Sequence, residues 1–329
     1  MLQTSKVHAG DPNSDCRKLI GIDIGGAKIA VAAVDDSGVI MAKTVIQTRR
    51  ESSFREAMSQ ISAAAKHVIA KALWDPEELV AIGVGSAAQI DPETGAVTSP
   101  YPCPAWKGCR LAKALRDRLD IPVHVESDAD AAGLAEQLVG AGRGFNPVLM
   151  LTFGTGIGGA FLVNNRIYRG CAGQHPEIGH VPFNPKGPEC YCGQNGCFES
   201  VASGSAIERA GRAIGLRSCR EVFLAAANGD PKAKEIVDEA CSATSVAIKT
   251  ILRTFLPERI ILGGGLIEKH YELFAEAART SLRSSELVPS SITVAKGQLG
   301  SDAGVVGAAL AAIRGPKVPS TLSLVRGNR

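Results

Sequence analysis

Three short apolar runs open the ordered part of the chain. Lys18–Ile24 is rich in β-branched residues and stops at Gly25-Gly26. Lys28–Val34 stops at Asp35-Asp36-Ser37-Gly38, and Val39–Ile46 follows. Apolar segments separated by tight turns predict a three-strand antiparallel meander. Helical spacing of apolar residues then runs from about Phe54 to Leu73. Beyond it the pattern predicts a strand at Val80–Val84, a helix at Leu111–Leu119, a strand at Val123–Val125 and a helix at Ala129–Val139.

The pattern then restarts. Val148–Phe153 reads as a strand, Gly154–Gly159 as a glycine turn, Ala160–Val163 as a second strand, and Asn164-Asn165 turns into Arg166–Arg169. Helices follow at about Ala202–Ile214 and Lys232–Phe255, then a strand at Arg259–Leu262, a helix at Tyr271–Leu282, a strand at Ile292–Ala295 and a helix at Ala303–Ile313. Each half opens with strand, glycine turn, strand, polar turn, strand. This implies an internal duplication and two similar lobes around a cleft. The alternative is one doubly wound domain with an insertion. The expected division is 18–127 for the N-terminal lobe, with a returning helix at 303–314, and 128–302 for the C-terminal lobe. Residues 1–17 and 315–329 are polar, and are expected to form a flexible N-terminus and a C-terminal tail.

Composition changes this picture little. A chain of 329 residues suits two lobes, and 45% hydrophobic with 21% charged residues excludes intrinsic disorder. A net charge of +3 gives no basic stripe, so neither nucleic acid nor an anionic membrane is expected as partner. Met1 to Arg17 lacks a secretory apolar region. The uncharged stretch Gly144–Asn165 contains five Gly, one Pro and three Asn, which suit strands and turns better than a bilayer helix. A cytoplasmic protein is expected.

The chemistry concentrates at turns. In Asp23-Ile24-Gly25-Gly26-Ala27-Lys28, glycine lets backbone amides approach an anion, and Asp23 at a strand end suits a hydrated Mg²⁺. An ordinary hairpin with a solvated Asp is the alternative. Gly154, Gly156 and Gly159 fit G-x-G-x-x-G, but a strand follows where a dinucleotide site needs a helix. A second phosphate-holding turn, with the Thr155 hydroxyl as a donor, is the remaining functional reading. Gly263-Gly264-Gly265 would let a flat ligand approach, or simply turn the chain into a helix. All nine glycines of these runs are expected to face one nucleotide. Ser127 and Asp128 end a strand and begin an Ala-rich helix. Asp128 either caps that helix or accepts a proton from a substrate hydroxyl in the cleft. Glu177 and His180 lie three residues apart on a loop, and a carboxylate suits vicinal sugar hydroxyls.

The nine cysteines are an odd number in a chain without an export signal, so a disulfide framework is not expected. Cys190, Cys192 and Cys197 cluster within eight residues, and His180 lies ten residues upstream. Three thiolates and one imidazole complete a tetrahedral Zn²⁺ shell with no open position, so the zinc is expected to be structural. It would fix the loop 180–199 that leads from Glu177 to Glu199.

Together these motifs resemble the ROK sugar kinases, on the actin-like ATPase (ribonuclease H-like) fold. The resemblance spans about Leu19 to Ile313. It rests on Asp23-Ile24-Gly25-Gly26, Asp128-Ala129, Gly154–Gly159, Glu177-Ile178-Gly179-His180, Cys190-x-Cys192-Gly193-x-x-Gly196-Cys197-x-Glu199 and Gly263–Gly265. It implies an α/β protein of two related lobes with a zinc-binding loop, and an ATP- and Mg²⁺-dependent kinase acting on the 6-hydroxyl of a hexose, glucokinase-like. A fructokinase, an N-acetyl-hexosamine kinase or a non-catalytic sugar-binding regulator is the alternative. By resemblance Asp128 is the base. Ser127, Asp128, Glu177, His180 and Glu199 contact sugar. Asp23, Gly25, Gly26, Lys28, Gly154, Thr155, Gly156 and Gly263 to Gly265 hold the nucleotide. His180, Cys190, Cys192 and Cys197 hold Zn²⁺, and a homodimer or homotetramer is implied. The chain departs from the family pattern at Ala27, usually Thr, at Ala87-Ala88, and at Pro102 and Ser127, where glucokinases carry Asn.

Overall fold

A computed structural model of the chain describes residues 16–91, 94–99, 103–283 and 286–314. In chain order the elements are β1 (Lys18–Ile24), β2 (Lys28–Asp35), β3 (Ile40–Gln47), α1 (Phe54–Lys71), β4 (Leu79–Ser86), α2 (Leu111–Leu119), β5 (Val123–Ser127) and α3 (Asp128–Val139). Then come β6 (Val148–Phe153), β7 (Ile157–Val163), β8 (Arg166–Ile167), α4 (Phe198–Ala202), α5 (Gly204–Ala213), α6 (Cys219–Ala227) and α7 (Pro231–Phe255). The chain continues through β9 (Arg259–Gly263), α8 (Ile267–Arg283), β10 (Thr293–Lys296) and α9 (Ala303–Arg314). Pro102 and the outer parts of both terminal segments lie outside the described residues.

Two five-stranded sheets form, ordered β3-β2-β1-β4-β5 and β10-β9-β6-β7-β8. In the first, β1 pairs antiparallel with β2 and parallel with β4, while β3 and β5 extend the two edges. In the second, β6 stands where β1 does, antiparallel to β7 and parallel to β9, with β8 and β10 outermost. The connectivity is the same, so the duplication expected from the repeated pattern is present in three dimensions.

The central strands are apolar on both faces because both faces are covered. Ile20, Ile22 and Ile24 of β1 pack with Met58, Ile61 and Val68 of α1, while Leu19 points the other way into Val305 and Leu310 of α9. Helix α1 starts with a capping box, in which Ser53 and Glu56 satisfy each other's backbone amides. Between the sheets lie α9, against β1 and β4, and α3, against β6 and β7, and the two helices also pack on each other. That layer is unusually close. A Cβ at Gly83 would sit 1.6 Å from the Ala308 carbonyl oxygen, and one at Gly307 1.7 Å from that of Ala131. The N-terminus of α3 therefore sits at the edge of the layer joining the two sheets.

The larger departures from expectation lie in the second half. The helix expected at about Ala202–Ile214 is α5, and an unexpected short helix, α4, precedes it; extended Ser203 separates the two and caps α5 through Ala206 N–H. Helix α6 was not expected, although Ser218 caps it through Glu221 N–H. Helix α8 begins four residues early and is irregular at His270. Strand β7 begins at Ile157 rather than Ala160, which shortens the second glycine turn to Gly154–Gly156. Among the described residues, no helix is long and apolar enough to cross a membrane.

Candidate active site and metal centre

Strands β1, β4 and β5 are parallel neighbours, so their carboxyl ends lie side by side: Asp23 beside Gly85, and Ser86 beside Ser127. Ligands of open α/β sheets collect at such ends. The N-terminus of α3 packs against Gly85, where a Cβ would make ordinary contact with Asp128 Cα at 3.6 Å. Asp128 is the first residue of α3, and Ser127 takes the N-cap position without a capping side-chain bond. The capping alternative for Asp128 thus fails on position. Asp128 Oδ1 accepts from Ala129 N–H at 2.7 Å. Burial pushes the Asp128 carboxyl up, with partial relief from that amide and from His175. Asp23 is raised to about 7, first by burial and then by the charge of Asp128, while Lys28 and Lys43 pull it back. Two buried carboxylates with raised proton affinity, one of them raised further by the other's charge, form a site that a divalent cation would relieve.

A buried ion network surrounds this corner. Arg169, just after β8, bonds through one Nη to Glu126 and through the other to Asp130 Oδ2, the latter at 2.5 Å. Glu126 and Asp130 are two residues either side of Asp128, and their side chains are 7% and 0% exposed. The guanidinium therefore clamps the strand-to-helix corner that carries Asp128. Burial works against ionised Glu126, but His124 and Arg169 outweigh it and hold that carboxyl below its usual range. Asp130 is pushed up to about 6, mainly by burial, with Arg169 opposing and Glu126 adding. His175 extends the network, with Nδ1 3.6 Å from Asp130 Oδ2 and Nε2 3.7 Å from Glu177 Oε1. Gln89 Nε2 donates to the same Glu177 oxygen at 3.3 Å.

The two glycine turns are braced from outside. Gly25 N–H donates to the Lys28 carbonyl, and Thr48 Oγ1 donates to the Gly25 carbonyl at 2.8 Å. Gly154 and Thr155 carbonyls accept from Gly204 N–H and Ser205 Oγ at the start of α5. Glu199 Oε2 accepts from Ile157 N–H at 2.6 Å, and a Cβ at Gly156 would fall 2.4 Å from that oxygen. Glu199 thus has one oxygen on the glycine turn, a role its spacing did not reveal. The expectation that all nine glycines face one nucleotide is corrected here. The Cβ positions of Gly158, Gly159 and Gly263 are filled by Ala129, Ile178 and Met150, so these three serve packing. Gly264 has a positive φ of 92° and meets Phe153 backbone, whereas Gly265 borders open space. Lys28 is exposed at the start of β2 and acts on Asp23 through charge.

His180, Cys190, Cys192 and Cys197 converge. One ligand atom from each lies within 4.8 Å of all the others. Cys190 Sγ is 3.4 Å from His180 Nδ1, and Cys192 Sγ is 3.5 Å from Cys197 Sγ. Tetrahedral bonds of ~2.3 Å to sulfur and ~2.0 Å to nitrogen require ligand atoms about 3.5–3.8 Å apart; the His180–Cys190 and Cys192–Cys197 separations are close to that, and the donor set is the one Zn²⁺ prefers. The other imidazole nitrogen, Nε2, lies 3.0 Å from the Tyr191 hydroxyl.

The structure thus brings Ser127 and Asp128 together with Asp23, and joins Glu177 to the Asp128 corner through His175 and Asp130. It places Glu199 on the second glycine turn. Sequence reading did not single out Arg169, Asp130, Gln89, Thr48 or Tyr191. For Asp130 a signal existed: acidic residues at 126, 128 and 130 are unusual on an otherwise apolar strand-to-helix junction.

Two sheets of identical connectivity, with acidic groups and glycine turns at facing strand ends, define a two-lobed actin-like ATPase fold. A protein-family model described as the ROK family matches residues 19–314, and the chain belongs to that family. It is 33% identical to a glucokinase of Thermotoga maritima, covering 89% of this chain and 96% of that one. A ROK hexokinase from Thermus thermophilus superposes with a TM-score of 0.79 at 34% identity, over 90% of this chain and 98% of the other. A ROK family glucokinase from Streptomyces griseus, solved with glucose and AMPPNP, gives 0.76 at 31% identity, over 91% and 100%.

Proposed function

We propose that the chain is an ATP-dependent hexose kinase, glucokinase-like, that transfers the γ-phosphoryl group to the 6-hydroxyl of a hexose. The observation that carries this reading is Asp128, half-buried at the joint of the two lobes, beside Asp23 and the first glycine turn and coupled through His175 to Glu177. Asp128 takes the proton from the sugar O6, O6 bonds to the γ-phosphorus, and the bond from phosphorus to the ADP oxygen breaks. Burial suits Asp128 to this, since a carboxylate whose proton affinity is raised is a better base. Phosphoryl transfer otherwise asks for positioning and charge neutralisation. Ser127, Glu177, His180 Nε2 and the free oxygen of Glu199 hold sugar hydroxyls. Gly25 and Gly154 close the two turns through their own amides; the amides of Gly26 and Gly156, with Thr155 and Lys28, hold phosphates, and Gly264 and Gly265 border the nucleoside. Asp23 holds Mg²⁺, which when bound neutralises phosphate charge. His180 Nδ1 and the three thiolates hold a structural Zn²⁺ that fixes the loop between Glu177 and Glu199. A homodimer or homotetramer in the cytoplasm, where ATP is supplied, completes the reading.

The test is ADP release across glucose, mannose, fructose and the N-acetyl-hexosamines, with ATP and with polyphosphate as donor. Glucose with ATP is the expected best pair. Asp128→Ala should lower kcat by about 10²- to 10⁴-fold without loss of fold. Near-normal turnover in that variant would remove Asp128 from the mechanism. Sugar binding without turnover by the unaltered protein would instead establish a non-catalytic sugar sensor.

A further inference from the structure

We propose that the Tyr191 hydroxyl occupies the position of a hexose hydroxyl in the unloaded site, so that sugar binds by displacing it and Tyr191 tunes which hexoses bind. The inference rests on the sugar-kinase reading above and adds to it a residue that the Cys-x-Cys spacing gives no reason to notice.

An imidazole has two nitrogens. Nδ1 of His180 faces Cys190 Sγ at 3.4 Å within the four-ligand cluster, which leaves Nε2 as its only other polar atom. When Nδ1 is bonded to a metal, Nε2 carries the proton and acts as a donor. The acceptor in front of it is the Tyr191 hydroxyl, 3.0 Å away, with the two rings edge to face at 5.0 Å. Burial first, and then the nearby carboxylates of Glu199 and Glu177, favour the protonated form of that hydroxyl. The phenol therefore meets an imidazole within the field of two carboxylates, groups that a sugar hydroxyl would use as donor and acceptors. His180, Glu177 and Glu199 are the three groups assigned above to the sugar.

Little packing holds Tyr191 there. The residue is 78% exposed, although its neighbours Cys190 and Cys197 are buried. A side chain anchored at its backbone by two metal ligands and free at its ring can swing clear without moving the cluster. The displacement costs the sugar one neutral hydrogen bond, which sets the expected size of the effect.

The experiment compares the unaltered protein with Tyr191→Phe, both loaded with zinc and checked for equal metal content. Glucose affinity is measured by calorimetry and KM by ADP release. The Phe variant keeps the ring and loses the competing hydroxyl, so Kd and KM for glucose should fall about three- to tenfold. The same comparison is run with 1-deoxy-, 2-deoxy- and 3-deoxyglucose. One of them lacks the hydroxyl that replaces the phenol, and for that sugar the advantage of the variant should vanish. Unchanged or weaker glucose binding in a zinc-replete Tyr191→Phe protein overturns the proposal, as does an equal gain for every deoxy sugar. Failure of the kinase reading is seen separately, as absence of turnover by the unaltered protein, and the calorimetric comparison still decides the role of Tyr191.

Discussion

Replacing Arg169 by Met is the most demanding test of the ion network around Asp128. Methionine keeps much of the apolar stem and removes the guanidinium from between two carboxylates whose side chains are 7% and 0% exposed. Breaking a buried pair by deleting one partner costs about 3–5 kcal/mol, because the remaining charge is left in a poor solvent. In a chain of this size that corresponds to a fall in Tm of roughly 6–10 °C, small enough to leave the protein folded at room temperature. The loss should depend on pH. Asp130 already binds its proton with a pKa of about 6, against an ordinary 3.8, and Arg169 is the largest influence lowering it. Without the guanidinium the folded-state pKa rises further, while the unfolded value stays. Between those two values the folded state holds more protons than the unfolded one, so stability falls as pH rises. The deficit of the variant should therefore be larger at pH 8 than at pH 5.5, where a protonated Asp130 needs no counter-charge. Adding Asp130→Asn should recover part of the loss at pH 8. Thermal unfolding at the two pH values measures all of this. A deficit below about 1 kcal/mol, or one equal at both pH values, would refute the claim that Arg169 neutralises buried carboxylates. If the clamp also aims Asp128, kcat for hexose phosphorylation at 25 °C should fall in the variant although the protein remains folded.

Two further outcomes are expected. Purified protein should carry about one zinc per chain, and Cys197→Ser should lose it, with lower Tm and weaker sugar binding as the loop from Glu177 to Glu199 loosens; metal analysis beside calorimetry checks this, and a metal-free but fully stable native protein contradicts it. Gly83→Ala should destabilise by about 3 kcal/mol or more, since its Cβ would fall 1.6 Å from the Ala308 carbonyl oxygen and only backbone movement of α9 relieves that; denaturant unfolding measures it, and a loss under about 1 kcal/mol would mean the layer between the sheets yields easily.

Much of the site was legible in residue order because the chemistry is local. Cys190, Cys192 and Cys197 lie on one short loop, and a zinc shell needs little more than their spacing and one upstream imidazole. The glycine turns announce themselves because closely spaced glycines interrupt apolar runs. The Arg169 clamp was not legible. Its partners are 39 and 43 residues away in the chain, and nothing local pairs one arginine with two particular carboxylates. Glu199 was read as a sugar ligand from its place after the cysteines, whereas its hydrogen bond to Ile157 N–H spans 42 residues. Helix α4 was missed because its five residues make little more than one turn, too short for apolar periodicity to show, and only the extended backbone of Ser203 separates it from α5.

The sequence by itself determined most of the elements, their duplication and the residues of the glycine turns and the metal cluster, since periodicity, turn chemistry and metal-ligand spacing act over a few residues. Tertiary structure decided which glycines border open space and which are filled by Ala129, Ile178 or Met150. It also decided that Asp23 and Asp128, 105 positions apart in the numbering, stand close enough for Asp128 to raise the pKa of Asp23. Parallel strand pairing is what joins them: it aligns the carboxyl ends of β1, β4 and β5 whatever the length of chain between, and burial at that junction then sets how tightly each carboxylate keeps its proton.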